Sequence, residues 1–283
     1  MRRAPWILAL ASLASGGDSE SLDADCVAKD VAVAKRIVAA LPSGETKLGD
    51  FLKKLDASST DEDREIGFGA RRLRLALYGG HTTTWVTVIS WNEVVGPLEV
   101  FCYEGDPEVW AVLRDRIAGE YKGKEPAIEE KGVRVRIGHQ ADPKGFRDER
   151  SRVLGPPMKI EPHPDVAEAC FLLWSPFSDL AYGSMQGEGG DKPDGRKAME
   201  KLLAHEQGAS LLEDALRGPN PEGRLYAAEG LLRLERKGRK PGEEIRKAIE
   251  WIRKSDVKTH VCRGCEMSWE PAATPLDEML KDG

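Results

Sequence analysis

Cys262 and Cys265, separated by Arg263 and Gly264, form the sharpest chemical pairing in the sequence. A dithiol at this spacing supports disulfide exchange when its first thiol sits at the positive N-terminus of a helix entered from a strand. Here the preceding stretch, Gly242 to Lys254, has helical periodicity instead, so a disulfide or two plain thiols is the expectation. A covalent haem site needs histidine directly after the second cysteine, and Glu266 stands there. Together with His260 the pair offers zinc three ligands, one short of a tetrahedron. His139, His163, His205, Cys102 or Cys170 would have to complete it through folding, and no other cofactor is implied.

The remaining motifs are weaker. Glu161-Pro162-His163-Pro164-Asp165 sets two carboxylates around an imidazole, but prolines favour an extended segment whose neighbouring side chains diverge. Ser184 lacks the glycine of a nucleophile elbow because Tyr182 takes its place, and Gly187 to Gly190 lacks the lysine ending of a phosphate loop. Between Arg233 and Arg263 eleven basic residues face five acidic ones, a local charge of +6 that either meets an anionic partner or is a solvated helix face. Trp85, Trp91, Phe101 and Tyr103 either line a binding surface or pack beneath helices. With no nucleophile, acid pair or complete metal set, the sequence favours binding over catalysis. An unknown protein or an anionic ligand is the expected partner.

Several elements must position these residues. Val27, Val31, Ala34, Val38 and Leu41 follow a helical period that Pro42-Ser43-Gly44 stops. A short helix over Leu48 to Leu55 follows. Residues 64–78 fit both periods; Ile66, Ala70, Leu73 and Leu77 favour a helix, with Thr60-Asp61-Glu62-Asp63 as its cap, while Leu73, Leu75 and Leu77 fit a strand. Thr84 to Trp91 alternates as a strand and Leu98 to Tyr103 repeats the pattern after Gly96-Pro97, predicting a β-hairpin. Asp106-Pro107 opens a helix carrying Trp110, Leu113 and Ile117, and Val133, Val135 and Ile137 alternate with arginines as a third strand. Farther on, helices are expected near Arg196 to Arg217, Glu222 to Arg236 and Gly242 to Lys254. The order predicts an α+β fold: a small antiparallel sheet with helices, then a small all-helical domain.

At the start, Arg2-Arg3, the apolar run Trp6 to Leu13 and small residues through Ala14 read as a secretory signal peptide. The organisation expected is a signal peptide over 1–14, an α+β domain over 15–140, a Pro-rich linker over 141–165 and a helical domain over 166–283. The apolar run is too short to span a bilayer, which needs about 20 residues, so the expected product is soluble, exported to periplasm or medium, and not integral to a membrane. The net charge of −6 argues against a nucleic-acid binder. Five cysteines are too few for a disulfide-built miniature fold, though an oxidising compartment permits a Cys262–Cys265 bridge.

Pro221-Glu222-Gly223-Arg224-Leu225-Tyr226-Ala227 and its continuation to Leu234 resemble the second helix of a HEAT-like repeat, with Leu211, Leu212, Ala215 and Leu216 on the first. Only one such pair is present, where a solenoid needs about three. The same stretch, with Gly264-Cys265 downstream, resembles an uncharacterised family of exported bacterial proteins bearing a Pro-x-Gly-Arg-Leu-Tyr-Ala helix. In that pattern the cysteine stands without a partner such as Cys262. The resemblance covers about Leu211 to Cys265; it implies compartment and architecture, and no chemistry. The HEAT-like pair adds a second alternative to the thiol or zinc reading, a protein-docking adaptor.

Overall fold

A computed structural model describes residues 23–42, 45–57, 59–124, 127–129, 132–137, 144–157, 160–187, 189–239 and 241–281. The signal-peptide segment lies outside the described residues.

The chain begins with helices α1 (Ala24–Ala40) and α2 (Leu48–Leu55). Strands β1 (Ser59–Gly67), β2 (Ala70–Tyr78), β3 (Thr83–Trp91) and β4 (Val94–Tyr103) follow, then α3 (Pro107–Glu120), β5 (Ala127–Glu129) and β6 (Gly132–Ile137). The six strands form one sheet in the order β1-β2-β3-β4-β6-β5, each antiparallel to its neighbours. Asp106 caps α3 by accepting from the Glu108 and Val109 amides, with Pro107 in the first turn, as its sequence predicts.

The helix expected over residues 64–78 is instead the β1–β2 hairpin. Gly67, Phe68 and Gly69 all have positive φ (92°, 58° and 72°), which no helix accommodates. The two-residue period of Leu73, Leu75 and Leu77 prevails because β2 is paired on both sides and those leucines enter the core. The β3–β4 turn also moves. It falls at Asn92-Glu93, both at positive φ, while Gly96-Pro97 sits inside β4 where the register against β3 shifts.

One sheet face buries Leu73, Leu75, Val86, Val88, Val100 and Val135 against α1, α2 and α3. Asp30 joins that interior from α1, its carboxylate accepting from the Gly80, His81 and Thr82 amides and the Thr82 hydroxyl, and so fastens the β2–β3 turn to the helix.

The remainder of the chain covers the other face. Helix α4 (Lys144–Leu154) occupies much of the expected linker; Phe146 and Arg150 are buried, so this segment packs rather than spans. Beyond it come α5 (Pro164–Trp174), α6 (Asp194–Leu203), α7 (Gly208–Leu216), α8 (Pro221–Arg236) and α9 (Glu243–Lys254). The Arg196 to Arg217 helix is two, broken at 204–207. A second hairpin, β7 (Lys258–Arg263) with β8 (Glu266–Pro271), precedes α10 (Ala273–Lys281), so the C-terminal half is not purely helical. His260 and Cys262 alternate with Thr259 and Val261 there, a strand signal too short to stand out beside the strong helix before it.

The outer sheet face is divided. At one end Ile66, Ala70 and Ile89 pack with Phe146 and Phe177, Trp91 beside them, an apolar seam joining sheet to helices. Beside it Phe68 stacks on Trp251 (centroids 4.4 Å), and buried Arg224 donates to the Ile66, Gly218 and Pro219 carbonyls. The other end is charged and stays open.

Candidate functional site

Strand alternation puts Arg72 and Arg74 of β2, Trp85 and Thr87 of β3, Glu99 and Phe101 of β4, and Arg134 and Arg136 of β6 on that open end. Opposite stand Phe171 of α5 and Lys197 and Lys201 of α6. Between them lies a cleft of about 860 Å³. Six cations and four carboxylates line it, the reverse of the balance of the whole chain.

The arginines are held in place. Glu99, nearly buried, accepts from Arg134 (2.7 Å) and from Arg136. Asp179 accepts from Arg72 (3.2 Å) and from Arg74, and Arg72 is further tied to Glu62 (3.0 Å). Each carboxylate thus fixes two guanidinium groups along the cleft wall. Burial would raise the Asp179 pKa, but Arg72 and Arg74 outweigh it and hold the carboxyl below its ordinary range.

Aromatic rings alternate with these cations. Arg74 lies over Trp85 (5.4 Å), Arg134 over Phe101 (4.2 Å) and Arg136 over Phe171 (4.9 Å). Trp85, Phe101 and Tyr103 form a cross-strand ladder, and the Trp85 indole N–H donates to Asp61 (3.0 Å). Phe171 remains 41% exposed. Such a surface binds anionic groups by charge-assisted hydrogen bonds and flat apolar groups by stacking.

The cysteine and histidine candidates of the sequence lie elsewhere. Cys262 is buried on β7, its thiol donating to the Gly264 carbonyl (3.3 Å), while Cys265 is exposed in the β7–β8 turn. All five cysteines are free thiols, the plain-thiol alternative for this pair: one side chain packs inward, the other faces solvent. His260 stacks on Trp269 (4.7 Å), and its amide donates to Glu222 (2.9 Å). Among the described residues no three His, Cys, Asp or Glu side chains converge as a metal-ligand set. His163 caps α5 and its ring lies against His205 (5.5 Å); Cys102 and Cys170 belong to two different cores. His139 lies outside the described residues.

The Pro221–Ala227 motif has a structural explanation. Asn220 caps α8 and Pro221 opens it. A side chain at Gly223 would meet the Leu173 carbonyl at 1.8 Å, so only glycine permits α8 to approach α5 this closely. The Tyr226 hydroxyl donates to the Ala181 carbonyl (2.7 Å), and Tyr182 donates to Glu229 (2.6 Å), which also pairs with Arg196. Burial, and the Glu229 charge beside Tyr182, raise both phenol pKa values, so the pair stays protonated as a packing element.

Basic residues between Arg233 and Arg263 are largely paired at the surface, Arg246 with Glu235, Lys247 with Glu243 and Arg263 with Glu270 and Glu278. Of the hairpin aromatics, Trp85 and Phe101 line the cleft, Tyr103 packs beside Phe101 outside its lining, and Trp91 packs in the seam. Sequence reasoning missed the arginines of β2 and β6. Their signal was the alternation Val133-Arg134-Val135-Arg136, which also fits an ordinary wet sheet face. Among the described residues no helix is long and apolar enough to cross a membrane. No known protein family, curated protein or solved structure matches the chain.

Proposed function

We propose that this is an exported binding protein whose sheet–helix cleft takes an anionic ligand. The observation carrying the reading is the ordered arginine array, Arg72 and Arg74 on Asp179 and Arg134 and Arg136 on Glu99, interleaved with Trp85, Phe101 and Phe171 in an otherwise acidic chain. Fixed guanidinium groups lose little conformational freedom on binding, which favours recognition of carboxylates and phosphates. Export rests on residues 1–14 and is tested by N-terminal sequencing of the fractionated protein; an intact Met1 on cytosolic protein overturns it.

Trp85 supplies the binding assay. Fluorescence titration with hexaglutamate, trigalacturonate and inorganic phosphate is expected to give saturation with at least one of these anions and none with hexalysine. Lys197 and Lys201 are exposed at the rim, so Lys197→Ala with Lys201→Ala preserves the fold and is expected to weaken binding about tenfold at low salt. Absence of saturable binding by all three anions refutes the proposal.

A further inference from the structure

The arginine cleft does not end at Arg74. A second groove of about 800 Å³ shares Arg74, Asp179 and Asp194 with it, so the two adjoin across the Arg74–Asp179 ion pair. Its far wall is the β7–β8 hairpin, presenting His260, Met267 and Trp269. Trp269 is 47% exposed, stacked on His260 and with the Arg64 guanidinium over its ring at 4.8 Å. An indole so fixed in orientation offers its exposed part as an apolar contact beside the carboxylates of this groove. Trp85, anchored through Asp61, holds the corresponding place in the first groove.

The charge inverts from one groove to the other. The first groove carries six cations and four carboxylates, while the second carries five carboxylates, among them Asp61, Glu62 and Asp63, against three Lys and Arg. A uniformly anionic polymer would be attracted at one end and repelled at the other. A chain molecule with an acidic block followed by a basic block matches both ends, and polypeptide is the polymer class that carries both signs. Resting on the anion-binding reading above, we propose that the ligand is an extended polypeptide segment lying across both grooves, its acidic part among the arginines and its basic part beside Trp269.

Fluorescence anisotropy of labelled peptides on the full chain tests this. The probes are hexaglutamate and a block peptide of three glutamates and three lysines, made in both orders. The block peptide in one order is expected to bind about tenfold tighter than hexaglutamate. That gain is expected to vanish in Trp269→Ala and in Asp63→Asn, at positions neither of which lines the first groove, while hexaglutamate affinity stays within about twofold. Equal binding of the two peptides, or a gain that survives both variants, overturns the inference and leaves anion binding standing. Tighter binding of trigalacturonate than of either block peptide overturns the polypeptide assignment. Failure of every anionic probe removes the anion-binding reading as well.

Discussion

Replacing Glu222 by alanine should destabilise the protein more than any surface change. Its carboxylate is fully buried and accepts two hydrogen bonds from Arg64 (2.7 and 3.2 Å) and one from the His260 amide (2.9 Å). One side chain thereby joins β1, α8 and β7. The burial of Arg64 alone would lower its pKa, yet Glu222 and Glu62 raise it, so the guanidinium stays charged in both states. Truncation therefore leaves a buried charge with Glu62 as its remaining partner and strips the acceptor from a backbone amide. Removing one member of a buried pair costs about 3–5 kcal/mol, and the retained Glu62 contact places the expectation near the lower end. Glu222→Gln keeps the amide acceptor and the volume and should cost about 1–3 kcal/mol. Urea denaturation followed by tryptophan fluorescence measures both, with unchanged m-values as the check on two-state behaviour. Destabilisation of Glu222→Ala below about 1 kcal/mol would refute the reasoning, as would equal losses for alanine and glutamine. A double-mutant cycle with Arg64→Ala should give a coupling of at least about 1 kcal/mol.

Alkylation of the native protein by iodoacetamide should label Cys265 first, because it alone is exposed in a turn; Cys102, Cys170 and Cys262 should react only after denaturation. Burial, with Asp214 adding to it, pushes the Cys170 thiol up to about 11, and burial likewise raises Cys102. Protection of Cys265 that is lifted by reductant would instead show a bridge to Cys262. At the cleft, Asp179 has a depressed pKa, so its contribution is full above the ordinary value of 3.8 and lost as pH falls through the lowered one. Asp179→Asn should melt below the parent at about pH 7 and together with it at about pH 2; solvent screening keeps the difference under about 1 kcal/mol. A gap that persists in acid would refute the pairing with Arg72 and Arg74.

What the sequence by itself determined was local. The α3 cap at Asp106-Pro107, the alternation of β3 and β6 and the amphipathic stripe of α9 follow from side-chain type and spacing within one element. Export, the HEAT-like likeness of the α7–α8 pair and the family resemblance remain readings of the sequence alone. Tertiary structure decided residues 64–78, where two periods competed until pairing with β3 and the burial of Leu73, Leu75 and Leu77 selected a strand. It also separated Cys262 from Cys265, since a strand sends one inward while the turn after it leaves the other in solvent. The arginine cleft belongs to tertiary structure entirely. Arg72, Arg74, Arg134 and Arg136 look like solvated positions on two distant strands, and only the sheet order β2-β3-β4-β6 brings them to one face. The apolar seam at the other end of that face seats the helices, and their placement turns a wet sheet surface into a walled cleft.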